Sequence, residues 1–324
     1  MPLPFQHILL TFFLSGVIGF SEVVDQQAWE KKVPKNRDDL AAIQARLQEL
    51  IPMAQKALVS IEANDGAGSG VIVSPDGLIL SAAHVIGQTG VDMEVRLLDG
   101  RRAKAVTLGG SEISDAGMLQ IKEAGPWPYV ELPKHHASKV GDWCFGLGHP
   151  GGFDLERGMV VRIGRIIEKQ DETMQTDSRL LGGDSGGPLF NFEGKVIAIH
   201  SRISKESDQN FHVPIESFQE NWDFFQNQDL LTYENIERGG FLGIACEETE
   251  HGLVIQSVIP GTAAEKAGFQ ENDIILKVDD VVIKNREKLT IFISGKDPDD
   301  EIKIEYQRQM SVATLKLKLG SRLE

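Results

Sequence analysis

Cysteine is nearly absent from this chain of 324 residues, which holds only Cys144 and Cys246. Two thiols cannot build a scaffold of several disulfides, and they cannot supply the ligands of a four-cysteine zinc site. Buried free thiols are therefore the expected state of both residues, and a disulfide between them is the alternative.

Positive charge is also scarce, since 33 Lys and Arg residues stand against 48 Asp and Glu residues and give a formal net charge of −15. Binding to a nucleic-acid backbone depends on Lys and Arg neutralising phosphates, so this balance argues against a nucleic-acid-binding protein. It also disfavours electrostatic attachment to an anionic membrane. The length suggests about two domains, and the 41% of apolar residues is ordinary for a globular protein.

Long apolar runs are missing, because no run reaches the roughly 18 residues that favour a membrane-spanning helix. Residues 8–20 form a shorter run, of the length of a signal-peptide core, although no Lys or Arg precedes it. Gly19 and Ser21 supply small side chains for cleavage after Ser21. We expect residues 1–21 to be an export signal and the mature protein to be extracytoplasmic, either periplasmic or secreted. An uncleaved apolar anchor is the alternative.

The next segment, residues 22–56, contains apolar residues at the three- and four-residue spacing of an amphipathic helix. Asn36 is its expected N-cap, because an Asn side chain can accept a hydrogen bond from the first helical turn. The apolar face could pack on its own domain or on a partner, and packing on its own domain is the simpler interpretation.

Residues 57–226 have a different texture, with short apolar runs separated by turn residues, and the Asp-Gly pairs at residues 76–77 and 99–100 are typical of hairpins. Strands at this spacing predict a β-sandwich or a barrel. Residues 215–226 are predicted to be helical, and residues 227–238 to form a polar linker. A second compact domain follows at residues 239–324.

Three local patterns in the β-rich domain carry the residue types of nucleophilic catalysis. His84 follows one apolar run, Asp115 precedes another, and Ser185 lies within G-D-S-G-G-P. A Ser hydroxyl needs a base to accept its proton, and a neutral His suits that role. A carboxylate fixes the His tautomer and stabilises the imidazolium. The glycines let backbone N–H groups approach the reacting carbonyl, so Gly183 and Ser185 are expected to form the oxyanion hole.

Taken together, these residues resemble the trypsin-like serine proteases, and specifically the HtrA (high-temperature-requirement) family. The similar segments are residues 68–85, 95–106, 140–152 and 210–215. The resemblance implies a mostly β protein with a chymotrypsin-like double β-barrel. It implies His84 as general base, Asp115 as orienting acid and Ser185 as nucleophile, and no metal or organic cofactor.

The sequence departs from the family pattern at two positions that bear on the fold. Asp184 stands where the family usually has Asn, and no activation sequence that could pair with it precedes the barrel. Its partner is therefore left open. Asn272 stands where the family usually has Gly, and Asn tolerates the left-handed backbone that such a turn needs.

Three residues near the nucleophile bear on substrate preference. Leu180 and Leu181 would line part of the pocket for the residue preceding the cleaved bond and would favour aliphatic side chains. Arg202 at the pocket rim would favour acidic substrates, unless it lies in a solvated loop. The remaining histidines of the matched region, namely His135, His136, His149 and His212, are expected to have no catalytic or metal-binding role.

The second domain resembles a PDZ domain of the HtrA type, with an α+β fold. Backbone N–H groups of its carboxylate-binding loop would hold a peptide C-terminus while the peptide adds a strand to the sheet edge. The residues matching this loop are Phe241, Leu242, Gly243 and Ile244.

The family resemblance implies an exported serine endopeptidase that cleaves unfolded or damaged proteins through an acyl-enzyme, with C-terminal peptides bound by the PDZ domain. The alternative is a peptide-binding chaperone or stress sensor whose protease is mostly latent, and the unusual segment 176–184 favours it. The resemblance also implies a homotrimer formed through aromatic residues in the region of Trp29.

Overall fold

The computed structural model describes residues 26–63, 66–134, 138–170, 172–204, 209–249 and 251–322. The predicted export signal at residues 1–21 lies outside these ranges, as do His135 and His136. Within the described ranges, no helix has both the length and the apolar character needed to cross a membrane.

A 3₁₀ turn, Ala28–Glu30, and helix α1, Arg37–Ala57, precede the first strand. The Asn36 side chain accepts a hydrogen bond from the Asp39 N–H at 2.9 Å, which confirms the predicted N-cap. One face of α1 is buried in the main core, and Arg46 Nε donates to the Phe192 carbonyl at 3.0 Å. The helix thus packs on its own domain.

Six strands form a first antiparallel barrel, in which β5 pairs with both β4 and β6 and closes the sheet. A short helix, α2, follows β3. Both predicted Asp-Gly hairpins are present, since Gly77 and Gly100 turn the chain with φ of 92° and 84°, where glycine has no Cβ penalty. The elements are β1 Leu58–Ala63, β2 Gly66–Ile72, β3 Leu78–Ala82, α2 Ala83–Ile86, β4 Asp92–Leu97, β5 Arg102–Ser111 and β6 Ala116–Ile121.

A second barrel of six strands is closed in the order β10-β11-β12-β9-β8-β7. Its interior is apolar, and the fully buried rings of Phe145 and Phe190 stack with centroids 5.0 Å apart. Cys144 is a buried free thiol. The strands are β7 Trp143–Gly148, β8 Val160–Lys169, β9 Met174–Thr176, β10 Pro188–Asn191, β11 Val196–Ile203 and β12 Asn210–Pro214.

The connection to the second domain is more ordered than the sequence indicated. The predicted helix over residues 215–226 is two short helices that meet at Asn221. The predicted polar linker contains a strand, β13, that pairs in parallel with β5, and a one-turn helix, α5. These elements are α3 Ile215–Glu220, α4 Trp222–Gln226, β13 Leu230–Leu231 and α5 Tyr233–Arg238.

The second domain is a twisted sheet, ordered β14-β15-β16-β18-β19 with β17 paired to β16, and packed against two helices. Asn272 has a φ of 69°, the left-handed conformation expected there. Cys246 is free, so the two cysteines form no disulfide, but it is only partly buried, so the expectation of a buried thiol is wrong for this residue. The elements are β14 Ile244–Thr249, β15 Gly252–Val258, α6 Ala263–Ala267, β16 Ile274–Val278, β17 Val281–Val282, α7 Arg286–Ser294, β18 Glu301–Arg308 and β19 Ser311–Lys318.

Helix α7 joins the second domain to the first. The carboxylate of Glu287 is 4% exposed and accepts a hydrogen bond from Asn221 Nδ2 at 2.7 Å. Lys288 Nζ donates to the Glu220 carbonyl at 3.1 Å. Burial raises the pKa of Glu287, although hydrogen bonds from Ser111 and Ser114 of the first barrel oppose that rise. One end of α7 is thus anchored in the first domain.

Candidate active site

The three sequence patterns converge at the cleft between the barrels. His84 lies in α2 directly after β3, and Asp115 lies in the turn between β5 and β6. Ser185 belongs to the second barrel, in the turn before β10. A cavity of about 660 Å³ opens at this point, and its lining includes His84, Gly183, Ser185, Gly68 and Val91.

The His84 side chain is held by Asp115. His84 Nδ1 lies 2.9 and 3.0 Å from the two carboxylate oxygens, and the His84 backbone N–H donates to Asp115 Oδ1 at 3.1 Å. Asp115 has a φ of 63°, which Asp adopts more readily than most residues. With the carboxylate as acceptor, the proton resides on Nδ1 and leaves Nε2 able to accept another.

Hydrogen bonding sets the ionisation of this pair. The hydrogen bond that His84 donates to Asp115 raises the pKa of His84, although burial opposes the rise. Burial disfavours the Asp115 carboxylate, but hydrogen bonds from His84 and Ser201 outweigh it and lower the pKa of Asp115. The pair therefore favours a carboxylate next to an imidazole of increased basicity.

Ser201 contacts both Asp115 and Ser185, and its role was not predicted from the sequence. Its Oγ donates to Asp115 Oδ2 at 2.5 Å, and its carbonyl accepts the Ser185 hydroxyl at 3.1 Å. The Ser185 hydroxyl hydrogen is therefore directed to Ser201 and not to His84. The only sequence signal for Ser201 is its position at the end of an apolar run, next to Arg202.

Two backbone N–H groups face the cleft. The Gly182 carbonyl accepts from the Gly151 N–H at 2.7 Å, which directs the Gly183 N–H, in the same peptide plane, to the opposite side. Ser69 Oγ donates to the Gly183 carbonyl at 2.8 Å. Among the described residues, the N–H groups of Gly183 and Ser185 have no acceptor. Both are available to an anionic oxygen.

The partner of Asp184 is Arg162 in β8. Two side-chain contacts of 2.8 and 3.1 Å join them, and Asp184 is fully buried. The sequence could not indicate this pair, because neither residue lies in a pattern that refers to the other.

A second group of histidines lies inside the second barrel. His200 Nδ1 and His212 Nδ1 are 2.9 Å apart, and Thr176 Oγ1 lies 2.7 Å from His212 Nε2. Burial lowers the pKa of His212 to about 3 and that of His149 to about 4, with Arg157 adding to the shift of His149. These side chains are neutral near pH 7. No group of residues suited to a metal ion occurs within the described ranges.

The residues that the sequence linked to substrate preference occupy different environments. Leu180 is 4% exposed, and its N–H donates to Asn210 Oδ1 at 2.8 Å, whereas Leu181 is 47% exposed. The Arg202 guanidinium lies 5.2 Å from the centre of the Phe211 ring. The preference for aliphatic or acidic side chains stays a prediction.

A groove in the second domain brings together the four residues predicted for carboxylate binding. It lies between the loop 241–244 and α7, and Arg322 closes one end, with its guanidinium 4.3 Å from the Phe241 ring centre. Gly243 has a φ of 86°, and a Cβ there would lie 2.3 Å from Thr262, so this position requires glycine.

The two domains match known families. Residues 68–199 match the model of the trypsin-like peptidase domain, and residues 240–319 match that of the PDZ domain. Among curated proteins, the probable periplasmic serine endoprotease DegP-like of Rickettsia conorii is 29% identical over 78% of this chain and 53% of its own length. The protein of the same name from Hahella chejuensis is 31% identical over 78% of this chain and 56% of its own length. The chain thus spans little more than half the length of these relatives.

Solved structures share the fold. The serine endoprotease from Yersinia pestis has a TM-score of 0.56 and 22% identity, covering 84% of this chain and 97% of that chain. The HtrA-type protease AlgW with a tripeptide has a TM-score of 0.58 and 22% identity, covering 84% of this chain and 96% of that chain. The mostly β architecture, with a double barrel followed by a PDZ-type sheet, is confirmed.

Proposed function

Because this chain belongs to the HtrA family, with a trypsin-like peptidase domain and one PDZ domain, we propose that it is a serine endopeptidase. The observation that carries the proposal is the meeting of His84, Asp115 and Ser185 at one cleft beside two free N–H groups. Unfolded or damaged polypeptides are the proposed substrates, since the cleft beside Ser185 holds a cavity of about 660 Å³, which leaves room for substrate residues.

The residues support acyl-enzyme chemistry. Ser185 Oγ attacks the substrate carbonyl carbon while its proton passes to His84 Nε2, and Asp115 stabilises the imidazolium that forms. The carbonyl oxygen becomes anionic and accepts hydrogen bonds from the Gly183 and Ser185 N–H groups. When the tetrahedral intermediate collapses, the C–N bond breaks and His84 returns the proton to the leaving amine. Water then attacks the acyl-enzyme with His84 as base, which releases the acid and restores Ser185.

The PDZ domain is proposed to bind peptide C-termini. Strand β14 forms one edge of its sheet, so an extended peptide can pair with it and lie against α7. The loop of Phe241, Leu242, Gly243 and Ile244 would receive the terminal carboxylate, and the Arg322 guanidinium adds positive charge there. The HtrA-type protease AlgW, which shares the fold, was solved with a tripeptide, and this supports peptide binding in general.

A mostly latent protease, regulated by peptide binding, is the second candidate function. The observation that favours it is the Ser185 hydroxyl, which donates to the Ser201 carbonyl at 3.1 Å instead of to His84. Attack requires the hydroxyl to turn toward the imidazole, so a ligand that favours that orientation would activate the protein.

Labelling with a fluorophosphonate tests the proposal and separates the two candidates. The reagent should attach covalently to Ser185, because its phosphoryl oxygen mimics the oxyanion and its phosphorus accepts the activated hydroxyl. Peptide mass spectrometry should place the adduct on Ser185. Rapid labelling without added peptide would favour a constitutively active enzyme, and labelling that requires a C-terminal peptide would favour latency. No adduct under either condition would contradict the peptidase assignment.

The groove assignment predicts that Thr290→Trp weakens peptide binding at least about tenfold, since the larger ring would occupy the space beside the loop. Fluorescence anisotropy with a labelled decapeptide ending in an apolar residue measures the affinity. The same peptide with an amidated C-terminus should bind weakly to the wild type. Met310→Trp is the matched control, because Met310 is 98% exposed and lies outside the groove. Equal affinity of the Thr290 variant and the control would argue against this groove.

Further features are proposed from the relatives. Their naming as periplasmic supports an extracytoplasmic location, and the export signal at residues 1–21 stays a prediction. The domain boundaries and the homotrimer also stay predictions. Within one chain, the Trp29 ring stacks on Phe192 with centroids 6.2 Å apart.

A further inference from the structure

We propose that Arg162 is a positioning residue for the oxyanion hole. Through its buried ion pair with Asp184, it holds the turn of residues 181–185 so that the Gly183 and Ser185 N–H groups face the cleft. This inference rests on the proposed peptidase function and assigns a residue of the second barrel to it.

The pair is well formed and buried. Arg162 Nη2 lies 2.8 Å from Asp184 Oδ2, and Arg162 Nη1 lies 3.1 Å from Asp184 Oδ1, so each carboxylate oxygen has its own donor. The Arg162 side chain is 11% exposed and that of Asp184 is 0% exposed. This two-point arrangement fixes the orientation of the carboxylate as well as its distance.

The carboxylate also closes the turn that carries the nucleophile. Leu181 N–H donates to Asp184 Oδ2 at 2.8 Å, and the Asp184 N–H donates to the Leu181 carbonyl at 3.0 Å. Asp184 lies between Gly183 and Ser185, whose N–H groups are the proposed oxyanion donors. A rotation of the Asp184 side chain would break its hydrogen bond with the Leu181 N–H and so loosen the turn that carries both N–H groups.

The Asp184 carboxylate packs against the β7–β8 hairpin, which also carries Arg162. Arg162 in β8 pairs with Gly146 in β7. Two residues further along β7, a Cβ on Gly148 would lie 2.3 Å from Asp184 Oδ1, so the strand approaches as closely as glycine allows. Gly151, just beyond this strand, holds the Gly182 carbonyl at 2.7 Å. The β7–β8 hairpin and the residues just after β7 thus contact the turn of residues 181–185 at both Gly182 and Asp184.

The buried position of Asp184 makes its carboxylate depend on the positive charge of Arg162. Burial raises the pKa of Asp184, whereas the Leu181 N–H and Arg162 oppose the rise. A buried carboxylate that loses its cation must take up a proton or reach water, and removing one partner of such a pair is strongly unfavourable. Either response alters the hydrogen bonds of the turn, so loss of Arg162 should change the positions of the Gly183 and Ser185 N–H groups.

The test compares Arg162→Gln, Asp184→Asn and the double variant in hydrolysis of unfolded β-casein and in inhibition by a tripeptide boronic acid with an aliphatic residue next to boron. The boronate adduct places an oxygen in the oxyanion hole, so its affinity reports the geometry of the hole. We expect Arg162→Gln to lower kcat on the order of 10²-fold, with KM changed less than about threefold, and to weaken the boronate by a similar factor. The double variant, which lacks the unpaired carboxylate, should recover at least about tenfold of the lost kcat.

The matched control is Arg165→Gln. Arg165 lies on the same strand, and its guanidinium stacks on Trp143 at 4.0 Å, away from the turn of residues 181–185. We expect its kcat and boronate affinity to stay within about threefold of wild type. Thermal unfolding of every variant fixes an assay temperature at which all are folded. If Arg162→Gln does not fold, Arg162→Lys keeps the charge without the two-point geometry and should lower kcat with a smaller loss of stability.

The proposal is overturned if Arg162→Gln, or Arg162→Lys in its place, remains folded with wild-type kcat and boronate affinity. It is also overturned if Arg162→Gln loses stability while the folded fraction retains both properties, since the pair would then only stabilise the barrel. Failure of this proposal can be told apart from failure of the peptidase assignment. If the protein were not a peptidase, the wild type would not react with the fluorophosphonate.

Discussion

Replacing Ser185 by Ala is expected to abolish hydrolysis of unfolded casein, with a loss in kcat on the order of 10⁶-fold. Ser185 lines the same cavity as His84 and Gly183, so its hydroxyl is the proposed nucleophile beside both the base and the oxyanion donors. Without it no acyl-enzyme can form, and the residual rate comes from water attacking a bound substrate, which the oxyanion donors still stabilise.

The fold should survive this change. Among the described residues, the Ser185 side chain makes one hydrogen bond, to the Ser201 carbonyl, so its loss costs on the order of 1 kcal/mol. The variant should therefore unfold at nearly the wild-type temperature and bind C-terminal peptides with unchanged affinity. These two measurements are the controls. Casein digestion at the wild-type rate by a preparation with this substitution would disprove the role of Ser185.

Replacing Asp115 by Asn is expected to lower kcat about 10⁴-fold. An amide nitrogen can donate to His84 Nδ1, and the imidazole would then carry its proton on Nε2, the atom that must accept one from Ser185. The amide oxygen can keep the hydrogen bond from the His84 backbone N–H, and the amide nitrogen then faces Ser201 Oγ, which can accept from it. The loss therefore comes from the tautomer and from the imidazolium, not from collapse of the site.

The pH dependence supplies a second measurement for Asp115. Since the carboxylate raises the pKa of His84, the wild-type rate should fall as the pH drops through that raised value and the base becomes protonated. Without the carboxylate the pKa of His84 falls, so the acid limb of kcat/KM should move to lower pH while the plateau drops. An acid limb that stays in place, or a plateau within tenfold of wild type, would contradict the assigned role.

The parts of the molecule that the sequence predicted correctly are those specified by neighbouring residues. The Asp-Gly pairs fixed two hairpins, and Asn36 marked the start of α1 through its own side chain. The residues assigned to the triad could be chosen because each sits in a short pattern of its own. Their meeting at one cleft followed from the family resemblance, not from any single pattern.

The parts that could not be predicted depend on contacts between distant segments. Ser201 and Arg162 have no local pattern, and their partners, Asp115 and Asp184, are reached only when separate strands pack together. The break between α3 and α4 at Asn221 is equally invisible, because the apolar spacing continues through it. At this break the Asn221 side chain donates to the Ser217 carbonyl and to Glu287 from the second domain, a partner that lies 66 residues away in the sequence.

Helix α7 has a consequence that reaches beyond packing. It is nine residues long, holds Glu287 against the first domain near its beginning, and lines the peptide groove with residues near its end. The first domain and the peptide groove thus contact the same nine-residue helix. If peptide binding in the groove changes the equilibrium constant for acyl-enzyme formation by some factor, thermodynamic linkage requires the acyl-enzyme to change the peptide affinity of the groove by the same factor. The affinity of the groove, measured before and after modification of Ser185, therefore reports the coupling free energy between the two domains.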